Sequence, residues 1–416
     1  MLVYHAVFLT LVAGSTAFFA GLGVLNVRHA DRTVRDRAEW LHETLDLDEP
    51  GELLAYHRLS TGLDQLQSVL ELAVLLLVLY TGLYGEVVAA LSGIVENDLL
   101  AGVVLFVGAA IGSQALAFPF TVYDTFGIET AYGFNEQSPR LFLRDTLVST
   151  ALLVALVGLL GGAVLLVLEW VPDWWWLAAT GVVALFALGA QVLLPRVVMP
   201  LFYDFEPIES GDLRAAVETV FDRAGFTCED VYEMNASSRS GHSNAFFTGF
   251  GATKRVVLFD TLIDQLEEPE IQSVLAHELA HWKKGHVWQR MAVSVFESGV
   301  LLLLAAILLE RPWLYAMFGV PQVPAAGLLL TGVWLEPVSR FTTPLSNRLW
   351  LKSEREADQF AVEVMGDGQP LANALAEMTG ENLSNPFPHP WYEAFHYQHP
   401  PVPERIRSLT DRFPNR

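Results

Sequence analysis

The chain alternates between long apolar runs and polar segments, the pattern of a multi-pass membrane protein. A helix needs about 20 apolar residues to cross a bilayer. Seven runs approach that length, at residues 6–24, 69–91, 99–122, 147–171, 174–198, 291–309 and 325–341. The seventh contains Glu336 and Arg340, and such charges face a bundle interior or wet cavity, or form a buried ion pair. The pattern predicts an all-α integral membrane protein with seven transmembrane helices.

Basic residues near the ends of these runs predict the orientation of the chain. The loop after the first run carries Arg28, Arg32, Arg35 and Arg37, and the loop after the third carries two arginines, whereas residues 92–98 and 169–173 hold no basic residue. Because positively charged loops stay in the cytoplasm, we expect the N-terminus outside and the C-terminus inside. The first run lacks a basic segment before it and a cleavage site, so we expect it to remain as an anchor of a cell-membrane protein.

The polar segments divide the chain into four predicted regions. The first holds five transmembrane helices and an amphipathic loop at 28–66, the second is a cytoplasmic segment, the third holds the last two spans, and the fourth is C-terminal. Their predicted boundaries are 1–198, 199–290, 291–345 and 346–416. Both the second and the fourth regions are expected on the cytoplasmic side.

The composition excludes several classes of protein. Hydrophobic residues make up 52% of the chain and charged residues 17%, against about 25% charged in soluble domains. The high apolar content excludes a disordered chain, and a collagen-like or coiled-coil chain is excluded because neither a glycine period nor heptads appear. The net charge of −22 argues against nucleic acid as a partner, because phosphates require Lys and Arg. The single cysteine, Cys228, excludes an intramolecular disulfide and a cysteine-based zinc site.

The small share of lysine among the basic residues is also informative. Among 25 basic residues, four are lysines, namely Lys254, Lys283, Lys284 and Lys352. An acidic surface poor in lysine indicates adaptation to high salt, where carboxylates stay hydrated and their repulsion is screened. A halophilic archaeon would be such a host. The alternative is a high-GC genome, which also favours arginine.

The candidate chemistry begins in residues 271–286, which read IQSVLAHELAHWKKGH. His277 and His281 are one helical turn apart on one face, so both imidazoles can reach one Zn²⁺. Glu278 lies where its carboxylate can accept a proton from an attacking water. His286 is about 140° further round the helix, so we predict a supporting role behind a ligand. The alternative is a pair of exposed histidines flanking a solvated glutamate.

A third ligand is expected because a catalytic zinc uses three protein ligands and one open position. Residues 353–364, SEREADQFAVEV, follow the seventh run and share the predicted cytoplasmic side. Glu354 is the best candidate ligand, and Asp358, one turn later, can brace a ligand histidine. Helix order alone leaves Glu356 and Glu363 open as competitors. A solvated charged helix face is the structural alternative.

Several motifs in order resemble the Ste24 family, the type I CAAX prenyl proteases, which share a catalytic core with HtpX-type membrane proteases. The motifs are TFGIETAYGFN at 125–135, MPLFYDFEP at 199–207, the segment 240–264, HELAHWKKGH at 277–286, EREAD at 354–358 and FHYQHPPVPERIRSL at 395–409. The resemblance implies an integral-membrane zinc metalloendopeptidase. It further implies seven helices around a water-filled chamber, with a zincin-type catalytic region on the cytoplasmic side.

The resemblance also implies roles for single residues. His277, His281 and Glu354 would bind one Zn²⁺ per chain, with Glu278 as the base. The family pattern E-x-x-x-D selects Glu354 over Glu356, because Asp358 follows it by four residues.

Four further residues match family positions on the substrate side. Asn244 and His396 would bind substrate, and His399 and Arg405 would approach the substrate and the developing oxyanion, where positive charge stabilises the transition state. The structural alternatives are a turn cap for Asn244, a surface turn for His399 and a helix salt bridge for Arg405.

The implied substrates are membrane-associated or prenylated, CAAX-type proteins, with the lipid bilayer as the other partner. An HtpX-like protease for membrane-protein quality control is the alternative with the same chemistry. A seven-span transporter or receptor is a different class, but no repeated halves are evident in the sequence. A site-2-type protease would place the H-E-x-x-H inside a span, whereas Lys283 and Lys284 follow it here.

Overall fold

The computed structural model describes residues 1–47, 50–227, 230–242, 244–248 and 255–411. Cys228, Lys254 and part of the motif at 240–264 lie outside these residues. The helices are α1 Leu2–Asp36, α2 Ala38–Leu45, α3 Pro50–Tyr80, α4 Leu83–Ile94, α5 Asp98–Tyr123, α6 Pro139–Trp170, α7 Trp175–Leu193, α8 Asp212–Ala224, α9 Asp260–Gln265, α10 Glu268–Lys283, α11 His286–Leu309, α12 Pro312–Ala316, α13 Pro324–Met365, α14 Gln369–Glu381, α15 Pro390–His396 and α16 Val402–Asp411.

Among the described residues, six helical segments are long and apolar enough to cross a membrane. They contain α1, α3, α5, α6, α7 and α11, one in each segment. The prediction of a helical membrane protein is therefore confirmed. The predicted seventh span, 325–341, lies in the first half of α13 and is not among the six. Glu336, Pro337 and Arg340 lower the hydropathy of that half.

The predicted second span, 69–91, does not form one helix. α3 ends at Tyr80 and the short apolar α4 begins at Leu83. Gly82 has a φ of 82°, a left-handed conformation that glycine adopts at low cost and that a continuous right-handed helix excludes. α3 itself begins at Pro50, so the predicted amphipathic loop at 28–66 corresponds to the end of α1, α2 and the start of α3.

α13 is one continuous helix of 42 residues, about 63 Å long at 1.5 Å per residue. The sequence predicts a span ending at residue 341 and a separate ligand helix beginning near 353. The structure joins them, although Pro337 and Pro344 lie inside the helix. The membrane region and the second half of α13, which carries Glu354, are therefore mechanically linked.

A four-stranded sheet, absent from the predicted all-α fold, lies between α7 and α10 in the chain. Its strands are β1 Phe205–Pro207, β2 Asp230–Met234, β3 Ala245–Thr248 and β4 Arg255–Phe259. The order is β1-β2-β4-β3, with β2 and β4 parallel and the other pairs antiparallel. β3 is thus an edge strand among the described residues.

One hydrophobic core joins this sheet to the helices beside it. It contains Val220 and Phe221 from α8, Val256 and Leu258 from β4, and Leu275 from α10. Val256, Leu258 and Leu275 are fully buried. Burying each of these side chains contributes roughly 1.5–3 kcal/mol, so α10 is held firmly against the sheet.

Candidate metal centre

α10, the helix that carries the H-E-x-x-H motif, has well-defined ends. Glu267 and Glu270 form a capping box, in which the carboxylate of each accepts a hydrogen bond from the backbone N–H of the other, and this satisfies two N–H groups that a helix start leaves open. At the other end Gly285 has a φ of 73° and separates α10 from α11. Leu275 and Leu279 are fully buried. The packing of this apolar face fixes the rotation of α10 about its own axis and therefore the direction of its histidines.

His277, His281 and Glu354 come together as a compact triad. The Nε2 atoms of His277 and His281 are 3.3 Å apart. Glu354 places Oε2 3.3 Å from His277 Nε2 and Oε1 3.3 Å from His281 Nε2. Ligand atoms about 2.0–2.1 Å from a tetrahedral Zn²⁺ are themselves about 3.3–3.4 Å apart, by simple geometry. The spacing therefore fits a divalent metal, and these residues form a group that could hold one.

Outer contacts hold the ring of His277. Its Nδ1 is 2.9 Å from Asp358 Oδ1, so Nδ1–H donates to the carboxylate and the Nε2 lone pair faces the other two ligands. Arg405 donates to the same carboxylate through Nε at 3.0 Å and Nη2 at 2.6 Å. Both Asp358 and Arg405 are buried. Partners of this kind fix the tautomer and direction of a ligand histidine.

Glu354 is fully buried and receives hydrogen bonds from two cations or potential cations. Arg290 Nη2 donates to Oε1 at 3.0 Å, and His399 Nδ1 is 2.7 Å from Oε2. Burial alone would raise the pKa of Glu354, but its hydrogen bonds with His277 and His399 outweigh burial and hold that pKa well below its usual range. The carboxylate is therefore ionised and available to a cation.

The two histidines differ in their electrostatics. Burial would lower the pKa of His277, but its hydrogen bonds to Asp358 and Glu354 raise it to about 9. Burial, followed by the neighbouring His277, lowers the pKa of His281 to about 3. The carboxylates that favour a proton on His277 equally favour a divalent cation at its Nε2, since both are positive charges at the same position.

Glu278 lines a cavity of about 190 Å³ that His281 and Glu354 of the triad also line. Burial is the largest cause that raises the pKa of its carboxyl, and the charge of Glu354 adds to it. A carboxyl with a raised pKa beside such ligands is suited to accepting and returning a proton. The residues that line the cavity are Phe247, Glu278, His281, Trp282, His286, Val287, Arg290, Glu354 and His399.

The other carboxylates considered as ligands lie elsewhere. Glu356 is 3.3 Å from His286 Nε2, and Glu363 is exposed and accepts a hydrogen bond from Gln359. The structure thus brings Glu354, rather than either competitor, between His277 and His281. His286 is buried behind His281, with their Nδ1 atoms 3.1 Å apart.

The predicted substrate-side residues separate into two groups. His399 lines the cavity, whereas Arg405 is not among its lining residues and is engaged with Asp358. Asn244 is exposed, precedes β3, and accepts a hydrogen bond from the Ala245 backbone. The ring of His396 stacks on Tyr392 with centroids 3.9 Å apart.

His396 belongs to a second cavity, of about 150 Å³, between α1, α3, α13 and α15. Asp64, Arg340 and Tyr392 line the same cavity. The structure therefore does not place His396 beside the metal triad, because α15 ends at His396 and the chain turns before it reaches His399.

Arg290 and Phe247 line the cavity but are absent from the predicted site. A signal for Arg290 exists in the sequence, since it stands directly before the apolar run that starts at residue 291. In the structure its guanidinium pairs with Glu354, at 3.0 Å. Phe247 has no such signal, because its strand has four residues.

A helical membrane region, an H-E-x-x-H helix and a buried carboxylate completing a metal-ligand triangle define the class of integral-membrane metallopeptidases. Family models match the chain in two parts. Residues 26–204 match the family model described as "CAAX prenyl protease N-terminal, five membrane helices". Residues 207–413 match the model of peptidase family M48.

Relatives and a solved structure agree with these matches. The chain is 35% identical over 321 residues to the CAAX prenyl protease 1 homolog of Oryza sativa subsp. japonica, covering 76% of this chain and 75% of the relative. It is 32% identical over 384 residues to the probable CAAX prenyl protease 1 of Schizosaccharomyces pombe, covering 89% and 81%. The crystal structure of S. mikatae Ste24p shares its fold, with a TM-score of 0.88 at 24% identity over 97% of this chain and 98% of that one.

The chain belongs to peptidase family M48, in the group of the CAAX prenyl proteases 1. It is a multi-pass membrane protein and a metalloendopeptidase, as the sequence predicts. These matches favour a peptidase over the seven-span transporter or receptor.

Proposed function

We propose that the protein is a zinc endopeptidase in which His277, His281 and Glu354 hold the ion and Glu278 is the general base. The observation that carries the proposal is the close approach of the ligand groups: the two histidine Nε2 atoms are 3.3 Å apart, and each lies 3.3 Å from one oxygen of the Glu354 carboxylate. Glu278 lines the cavity beside them. Nitrogen and carboxylate donors in this number suit a catalytic zinc with one open position.

When bound, the ion supplies Lewis-acid chemistry, lowering the pKa of a water molecule and polarising a carbonyl. Glu278 takes the proton of the attacking water and returns it to the leaving amine. His399, exposed at the cavity and 2.7 Å from Glu354, is the residue best placed to donate a hydrogen bond to the substrate carbonyl. Arg405 acts through Asp358 on the orientation of His277, so we assign it a positioning role.

An extended peptide suits this site. β3 is an edge strand among the described residues, and an edge strand offers unpaired N–H and C=O groups to a further strand. Phe247 of β3 lines the cavity, which brings a paired peptide past Glu278. Asn244 stands at the start of that strand, where it would contact the substrate main chain.

We further propose that the substrates are prenylated or otherwise membrane-anchored proteins. The relatives are named CAAX prenyl proteases. An apolar groove of about 610 Å³ between α7 and α11 begins at Met291, one residue beyond Arg290 of the metal cavity. An isoprenoid chain could lie in that groove while the peptide reaches the metal.

The positively charged loops support a cytoplasmic metal centre. A tag after residue 411 should therefore be digested in sealed inside-out vesicles and protected in right-side-out ones. If an added protease instead digested the tag in right-side-out vesicles and left it intact in inside-out ones, the assigned orientation would be reversed.

The decisive experiment uses purified, detergent-solubilised protein and a fluorogenic peptide with and without a farnesyl group. Glu278→Gln should bind one zinc per chain but lose activity by about 10³-fold or more, because an isosteric amide cannot accept the proton. A chelator should abolish wild-type activity and added Zn²⁺ restore it.

Full hydrolysis by Glu278→Gln would remove the assigned base. Equal kcat/KM for the two peptides would remove the prenyl preference and leave the HtpX-like quality-control role, with the same chemistry.

A further inference from the structure

A chain of polar contacts leads from His281 to the surface of α13. The Nδ1 atoms of His281 and His286 are 3.1 Å apart, and His286 Nε2 is 3.3 Å from Glu356 Oε2. The side chain of His286 is 1% exposed, whereas that of Glu356 is 39% exposed. The contacts join α10, α11 and α13, the three helices that supply or adjoin the metal triad.

The tautomers follow from one requirement. If His281 binds a metal through Nε2, its proton is on Nδ1, because a neutral imidazole has one donor and one acceptor. His281 Nδ1–H then donates to His286 Nδ1, which is unprotonated. His286 consequently carries its proton on Nε2 and donates it to Glu356. Each group thus has one consistent assignment.

We propose that Glu356, acting through His286, is a positioning residue that fixes the tautomer and ring direction of His281 and thereby sets metal affinity. The inference rests on the proposed metal site. It gives the two ligand histidines different supports: His277 contacts its carboxylate, Asp358, directly, and His281 reaches its carboxylate through a second imidazole.

Glu356 is held in position by its surroundings. Lys284 Nζ donates to the backbone oxygen of Glu356 at 3.1 Å, and Lys352 Nζ is 3.6 Å from Glu356 Oε1. Because Glu356 and Glu354 lie two residues apart on one helix, the ligand and the outer support move together. Lys284, which follows the H-E-x-x-H motif, thus helps to hold Glu356 in place.

The first test measures Zn²⁺ affinity of the full chain in detergent by competition with a chromophoric chelator. Loss of an outer partner weakens metal binding about 10–100-fold, and we expect about 10-fold for Glu356→Gln because Glu356 is half-exposed and one imidazole removed. Glu363→Gln, with the same charge change at an exposed site of the same helix, should leave affinity unchanged. The Co²⁺-substituted protein should show a shifted visible spectrum for Glu356→Gln only.

The second test asks whether the effect passes through His286. Asn at position 286 keeps an acceptor near the place of Nδ1 but cannot contact Glu356. We therefore expect His286→Asn to weaken zinc binding, and Glu356→Gln to add no further loss in that background.

The inference would be overturned if Glu356→Gln bound zinc with wild-type affinity. It would also be overturned if Glu356→Gln weakened zinc binding as much in the His286→Asn background as it does in the wild type. Failure of the wild type to bind zinc would instead overturn the proposed function. Should Glu356→Gln not fold, Glu356→Asp, which withdraws the carboxylate by one methylene, supplies the same comparison.

Discussion

At the scale of a residue, Arg405 shows that a sequence motif does not predict the direction of a long side chain. The resemblance predicts its guanidinium near the developing oxyanion. In the structure both Arg405 and Asp358 are buried, and Arg405 binds that carboxylate with two hydrogen bonds. Position in a motif fixes which helix a side chain belongs to, but the direction of a long side chain depends on the charge buried next to it. The alternative considered for Arg405, a helix salt bridge, matches this geometry.

We expect Arg405→Gln to lower both stability and zinc affinity. Removing one partner of a buried pair leaves an uncompensated charge, at a cost of about 3–5 kcal/mol, and Asp358 then supports His277 less well. Thermal unfolding with excess chelator measures the first effect and chelator competition the second.

Arg355→Gln is the matched control for this prediction. Arg355 pairs with Glu404 at 2.9 Å, but both side chains are more than half exposed, and exposed pairs contribute about 0–1 kcal/mol. Equal losses in the two variants would contradict the assigned role of the buried pair.

At the scale of elements, periodicity and spacing predict the helices but not the sheet. H-E-x-x-H and E-x-x-x-D are local patterns, so the helices that carry them can be anticipated from the sequence. The choice of Glu354 as the third ligand depends on the resemblance to a family. The strands have three to five residues, and β2 pairs in parallel with β4 across a connection of about 20 residues. Such pairing is decided by the shared core with α8 and α10, which no local window contains.

Close helix packing can be tested on two glycines of α13. A Cβ at Gly327 would overlap the Tyr315 hydroxyl and a Leu309 methyl group, whereas one at Gly332 would meet nothing within 4 Å. We expect Gly327→Ala to destabilise by about 1–3 kcal/mol, the usual cost of overpacking. Gly332→Ala should be neutral or slightly stabilising, because alanine favours helices. Thermal unfolding in detergent compares them, and a harmless Gly327→Ala would show that α13 and α12 are not tightly packed there.

At the scale of the molecule, part of the net charge of −22 lies where carboxylates face one another. Six acidic residues are among those that line a cavity of about 730 Å³ between α2, α10 and α14, namely Glu43, Asp46, Glu52, Glu270, Glu377 and Glu381. Burial raises the pKa of Glu377 in this cavity, and the charges of Glu270, Glu381 and Asp46 raise it further. Repulsion of this kind weakens the folded state most when salt is scarce, since the screening length falls from about 10 Å at 0.1 M to about 3 Å at 1 M.

The prediction of a salt-adapted protein therefore has a local test. We expect the unfolding temperature to rise as KCl increases from about 0.1 M to about 1 M, because screening relieves the carboxylate repulsion. Glu377→Gln should raise it by about 2 °C at low salt and by less at high salt, since the removed charge is then already screened. Glu209→Gln, exposed and outside this cavity, should show a smaller salt-dependent difference. Stability and activity that peak in dilute buffer would favour a high-GC genome as the reason for the scarcity of lysine.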